Sequence, residues 1–163
     1  MRYIYALGAA AISIAALATP AFADTTVKVE LADMGGMMDM SKMMDMKMGM
    51  GMHGDMHMAM MSIAVDKVSV PAGKVTFDVT NVSKETIHEM LISPIAGLDV
   101  TLPFSAAENR VDEEASGDLG EVSELEPGKS GSLTLELKPG LYVLFCNIPG
   151  HFNAGMWTTI EVK

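Results

Sequence analysis

Apolar residues in this chain recur at every second position over short runs. In "TVKVEL", Val27, Val29 and Leu31 fall on one face, and in "VTFDVTN" Val75, Phe77 and Val79 do the same. "PGKSGSLTLELKPG" is bounded by two Pro-Gly turns and aligns Leu133, Leu135 and Leu137. A period of two is that of a strand with one buried face. "MSIAVDKVSV", the turn "PAGK", and "TIHEMLISPI" supply further strand-like stretches, and "MWTTIEVK" closes the chain. "LYVLFC" is apolar on both faces, as expected of a strand inside a sheet. Residues 105–123 are acidic and polar and read as a long connection with a short helical turn. Short strands separated by turn signals predict an all-β domain, an antiparallel sandwich or barrel.

Two stretches depart from this pattern. The first 23 residues carry a single charge, Arg2, then an apolar run from Ala6 to Leu17 and the small-x-small triplet Ala21-Phe22-Ala23. That is the layout of a cleavable export signal. The apolar run is short for a membrane span, which needs about 20 residues, so an uncleaved anchor is the weaker alternative. The chain has 163 residues, and without the first 23 it keeps 140, enough for one domain with a core. The second stretch is methionine-dense. Of 17 methionines, 14 lie between Met34 and Met61, with Gly, Asp and Lys between them. Flexible thioether side chains specify packing poorly, and the interspersed glycines disfavour a regular helix. An irregular segment is expected over 34–61, between a first strand in 24–33 and a folded domain over 62–163.

The formal net charge is −10, and becomes −11 once Arg2 is removed. A chain so acidic is a poor match for nucleic acid, whose phosphates demand a basic face. It suits cations or basic partners. Export places the chain in an oxidising compartment where paired cysteines become disulfides, yet Cys146 is the only cysteine. Such a thiol is either buried and inert or engaged by something else.

"FCNIPGHFNAGM" suggests the latter. His151 follows Cys146 by five residues, and Met156 follows His151 by five. Pro149, Gly150 and Gly155 make the loop compact enough for the three side chains to converge. Thiolate, imidazole and thioether are soft to intermediate ligands that favour copper over calcium or magnesium. Two histidines and a cysteine with a weak axial methionine make a type 1 copper site, so one histidine is missing from the loop. Of the four histidines, His53 and His57 lie in the methionine segment, which leaves His88, at the start of a strand, as the fourth ligand. Zinc would use Cys and His but gains little from a thioether. A cysteine nucleophile would need an oxyanion hole and a residue orienting its base, neither of which is evident.

Together, "FCNIPGHFNAGM" and "NVSKETIHEM" resemble the copper loop and upstream histidine of the cupredoxins, the plastocyanin/azurin-like blue copper proteins. The resemblance spans about residues 60–163. It implies an eight-stranded Greek-key β-sandwich with copper near one end, held by His88, Cys146, His151 and Met156. Glu89 stands where the electron carriers of the family often have Asn. The Met/His-rich segment is similar to that of periplasmic copper-tolerance cupredoxins.

Thioethers bind Cu(I) without deprotonation and reject Zn(II) and Mg(II) by softness. Met50, Met52, Met56 and Met58 are therefore candidate Cu(I) or Ag(I) ligands, with His53, His57 and Asp55 available to Cu(II). A linker or a sticky docking surface is the alternative for this segment. The expected function is periplasmic copper handling that contributes to copper tolerance. The alternative is a small electron shuttle between redox partners. A copper enzyme would need a second centre, for which four histidines are too few. The expected partners are copper ions and redox or copper-trafficking proteins, with no membrane contact after signal cleavage and a monomeric chain.

Overall fold

The computed structural model describes residues 24–33 and 61–163. A four-stranded sheet is ordered β2 (Met61–Val65), β1 (Thr25–Asp33), β4 (Gly73–Asn81), β9 (Ser130–Leu137). A five-stranded sheet is ordered β3 (Ser69–Val70), β11 (Trp157–Val162), β10 (Gly140–Phe145), β5 (His88–Ile95), β8 (Glu121–Leu125). A small ladder joins β6 (Phe104–Ser105) to β7 (Arg110–Val111), followed by one helical turn, α1 (Glu113–Ser116). The domain is a β-sandwich, and eight of its strands have five or more residues.

The alternating runs form the faces expected of them. Val27, Val29, Leu31, Val75, Phe77 and Val79 are buried and meet Ile92, Leu144 and Ile160 of the opposite sheet in one core. Each such side chain stabilises the fold by about 1.5–3 kcal/mol through removal of apolar surface from water. "LYVLFC" does bury both faces. Tyr142, Leu144 and Cys146 enter the central core, while Val143 and Phe145 join Leu91, Leu102 and Val111 in a second cluster outside the sheet. The polar connection after β5 covers that outer cluster.

Two expectations are corrected. The sheets are mixed rather than purely antiparallel, since β1 pairs in parallel with β4 and β3 with β11. The chain leaves the first sheet through β3 before β4 returns on the far side of β1, and that crossing makes the pair parallel. The connection expected over 105–123 also ends early, at Gly120, just before β8 begins at Glu121. In β8 the buried residues Val122 and Leu125 are three apart. A register shift between His88 and Met90 of β5 lets both face the core, and it hides the strand from any search for strict alternation.

Met61 opens β2 and pairs with Asp33, the last residue of β1. Segment 34–60 thus connects two antiparallel neighbours. The expected export signal over 1–23 and the candidate ligands Met50, Met52, His53, Asp55, Met56, His57 and Met58 lie outside the described residues.

Candidate metal centre

The loop between β10 and β11 owes its shape to its sequence. Ile148-Pro149-Gly150-His151 is a tight turn closed by the His151 N–H donating to Ile148 O at 3.0 Å. Proline supplies the fixed φ at its second position, and glycine the φ of 90° at its third. Residues 151–156 then close like a helix end. Met156 N–H donates to His151 O at 3.1 Å, and Gly155 N–H to Phe152 O at 3.0 Å, with Gly155 at φ 90°. This is the Schellman arrangement, which needs glycine one residue before the last donor. It accounts for the His-to-Met spacing. Cys146 N–H donates to Met156 O at 3.0 Å, so the two ends of the loop are clamped together.

His88 reaches the loop from the start of β5. Asn81 ends β4 as a fully buried amide and fixes the turn before it. Its Nδ2 donates to Thr86 O at 2.8 Å and Leu125 O at 2.7 Å, and its Oδ1 accepts from Ser83 N–H at 3.0 Å.

His88, Cys146 and His151 converge. His88 Nδ1 lies 3.3 Å from His151 Nδ1, and Cys146 Sγ lies 3.3 Å from the same atom. Donor atoms of all three lie within 4.8 Å of one another. A single ion with metal–nitrogen bonds of about 2.0 Å and a metal–sulfur bond of about 2.3 Å holds its donors at about this separation. His88 and Cys146 are buried, and His151 is half-buried. Met156 is fully buried at the far end of the loop. His88 Nε2 is buried with no hydrogen-bond partner among the described residues, consistent with a ring whose Nδ1 is the working atom.

The electrostatics keep the donor rings uncharged. Burial, reinforced by His151, pulls His88 down to about 4, with Asp33 opposing. Burial also lowers His151, again against Asp33. Both rings are therefore neutral at pH 7, with lone pairs to give. Burial pushes the Cys146 thiol up to about 12, against backbone N–H groups of Glu89 and Ile148 that favour its thiolate. A bound cation must displace that proton, so metal uptake releases a proton.

Three residues near the donors complete the surroundings of the site: Glu89, which the sequence singles out, and Asn147 and Asn109, which it does not. Glu89 N–H points at Cys146 Sγ at 3.5 Å, while its Oε1 accepts from Asn147 N–H at 3.1 Å. Glu89 thus ties the His88 strand to the Cys146 strand. Burial, then repulsion by Glu121, raises the Glu89 carboxyl to about 7. Asn147 is buried, and Asn109 has a positive φ of 54°.

The family model for copper binding proteins of the plastocyanin/azurin family matches residues 46–163. The chain belongs to this family. Among solved structures, this cupredoxin is similar to auracyanin B, with a TM-score of 0.52 and 23% identity, covering 89% of this chain and 92% of that one. It is also similar to rusticyanin from Thiobacillus ferrooxidans, with a TM-score of 0.50 and 15% identity, covering 86% and 77%. A rusticyanin variant gives a TM-score of 0.53 at 18% identity, covering 86% and 77%. At these identities the likeness concerns the fold. No curated protein sequence matches the chain. Copper is the cofactor to which the site of this cupredoxin is suited. No helix among the described residues is long and apolar enough to cross a membrane.

Proposed function

We propose that this cupredoxin is a periplasmic copper-handling protein that contributes to copper tolerance. His88, Cys146 and His151 would hold one copper in a type 1 site with Met156 as a weaker fourth ligand, and the Met/His-rich segment would capture Cu(I). The observation that carries the reading is the convergence of two imidazole nitrogens and one thiol sulfur in a buried pocket. When bound, the copper supplies a one-electron Cu(II)/Cu(I) couple. The protein supplies neutral imidazoles, a sulfur flanked by backbone N–H groups, and exclusion of water by the core.

The anchoring of segment 34–60 supports the capture role. Its flanking residues Asp33 and Met61 are paired, and Asp33 acts electrostatically on both His88 and His151. Both flanking residues therefore lie at the end of the sandwich that carries the site. Export by residues 1–23 supplies the compartment.

The second reading is an electron shuttle, favoured by one observation. His151 is the half-buried member of an otherwise buried donor set, so its ring is the shortest way for an electron to reach the surface. One variant separates the two. Because Asp33 and Met61 are ladder partners, residues 34–60 can be replaced by Asn-Gly, a two-residue hairpin turn. Copper capture predicts that the parent binds more than one equivalent of Cu(I), that the variant binds one, and that the variant loses copper tolerance. Full tolerance in the variant, with electron transfer impaired in Cys146→Ser, would favour the shuttle.

A further inference from the structure

We propose that Asn147 is the positioning residue of the metal loop, and that it works by bolting the loop to the outer hairpin β6–β7 and helix α1. The proposal rests on the copper reading above and assigns a role to residues that touch no metal.

Asn147 directly follows Cys146 and is 1% exposed. Its side chain pairs with one residue of the hairpin as a strand neighbour would. Oδ1 accepts from Val111 N–H at 2.7 Å, and Nδ2 donates to Val111 O at 3.0 Å. The second Nδ2 proton goes to Glu113 Oε1 at 2.8 Å. Both amide protons are therefore used, and they fix the rotamer without freedom to flip. The backbone N–H of Asn147 donates to Glu89 Oε1, one residue from His88. One residue thus joins the His88 strand, the Cys146 strand and the outer hairpin.

The hairpin grips the loop a second time around His151. Asn109 O accepts from Gly150 N–H at 2.8 Å, and Asn109 Oδ1 accepts from Asn153 Nδ2 at 3.1 Å. Asn109 adopts φ 54°, which Asn tolerates better than most residues with a Cβ. A Cβ on Gly150 would approach Asn109 Nδ2 to 3.2 Å, so hairpin and turn are in tight contact. The anchors fall at residues 147, 150 and 153, directly after Cys146 and on either side of His151. The hairpin is itself seated on the sheet by Val111, packed with Leu91, Leu102, Val143 and Phe145. The donor atoms are thereby held in place before any metal arrives.

The test uses the full chain, metal-free and loaded with copper, as parent, Asn147→Ala and Glu113→Ala. In metal-free Asn147→Ala, the amides of Gly150, His151, Ala154 and Met156 are expected to exchange at least about tenfold faster than in the parent. Loaded with Cu(II), the same variant is expected to show a changed copper hyperfine splitting in its EPR spectrum and a shifted reduction potential. Glu113→Ala keeps both bonds to Val111, and is expected to move each readout in the same direction by less. Faster exchange confined to residues 109–116, with EPR spectrum and potential unchanged, would overturn the proposal and leave Asn147 as an anchor for the hairpin alone. If Asn147→Ala does not fold, Glu113→Ala decides by the same readouts. Failure of the parent to develop a thiolate-to-copper absorption would refute the copper reading, while the exchange comparison of the metal-free proteins would still decide the positioning role.

Discussion

β4 and β10 lie at the centres of their sheets, yet they bury their residues differently. β4 alternates along its whole length, with Val75, Phe77 and Val79 inward and Lys74, Thr76, Asp78 and Thr80 outward. β10 buries every residue from Tyr142 to Phe145. The four-stranded sheet thus turns one face to water, while the five-stranded sheet is covered on both faces. The sheet covered twice is the one that carries the donor residues. Each residue of the loop set has a neighbour on the opposite face. Phe145 precedes Cys146, Phe152 follows His151, and Trp157 follows Met156. These three aromatic rings pack together outside the sheet, with Phe145 edge-on to Phe152 at 6.0 Å and Phe152 stacked on Trp157 at 6.4 Å. At Phe145–Cys146 and Met156–Trp157 alternation sends the donor inward and the aromatic outward, while Phe152 joins the same rings from the helical turn that begins at His151. The outer rings thus pack directly behind the donor residues.

The comparison is broken most directly from its two cores. Phe145→Ala and Phe77→Ala are each expected to cost about 3–5 kcal/mol in denaturant unfolding of the metal-free protein. Only Phe145→Ala is expected to change the copper absorption spectrum, because Phe77 belongs to the sheet without donors. Equal spectral change in both variants would mean that the outer cluster has no special bearing on the site. Asn81→Ala strands the carbonyls of Thr86 and Leu125 and frees the turn before His88. Each buried unsatisfied group costs about 1–3 kcal/mol, and calorimetry of the metal-free variant reads the loss.

Protonation sharpens the comparison at smaller amplitude. Glu89 titrates at about 7 when folded and near 4.5 ordinarily. The unfolded chain gives up this proton first, so stability falls as pH rises from about 4.5 to 7. His88 is held at about 4 against an ordinary 6.5. The unfolded chain takes up this proton first, so stability falls as pH drops from about 6.5 to 4. The two effects oppose one another where the ranges overlap. Glu89→Gln removes the first, so the metal-free variant is expected to gain on the parent in thermal midpoint as pH rises from 4.5 to 7. A constant difference across that range would show that Glu89 is not held protonated by the fold. The smallest effect belongs to the solvated face. Thr134→Ala breaks an exposed hydroxyl pair with Thr76 and is expected to change unfolding free energy by no more than about 0.5 kcal/mol.

Much of this was legible in the sequence, for identifiable reasons. Val75, Phe77 and Val79 alternate because water bathes the other face of β4. Cys146 and His151 were paired by proline and glycine chemistry that admits few loop shapes. β8 was not legible, because a register shift puts Val122 and Leu125 on one face despite their spacing of three. The parallel pairing of β1 with β4 depends on where the chain crosses between sheets, which no local pattern encodes. The parts of Asn109 and Asn147 were hidden for a similar reason. They contact one another's segments across more than thirty positions of chain, and each looks alone like an ordinary loop residue.

The central claim is that His88, Cys146 and His151 close on one copper. The direct measurement is the optical and EPR spectrum of the Cu(II)-loaded protein with residues 34–60 replaced by Asn-Gly, recorded beside a metal count. One copper per chain is expected, with an intense thiolate-to-copper absorption that disappears in Cys146→Ser. Copper bound in equal amount by Cys146→Ser, or a loaded protein without that absorption, would contradict it.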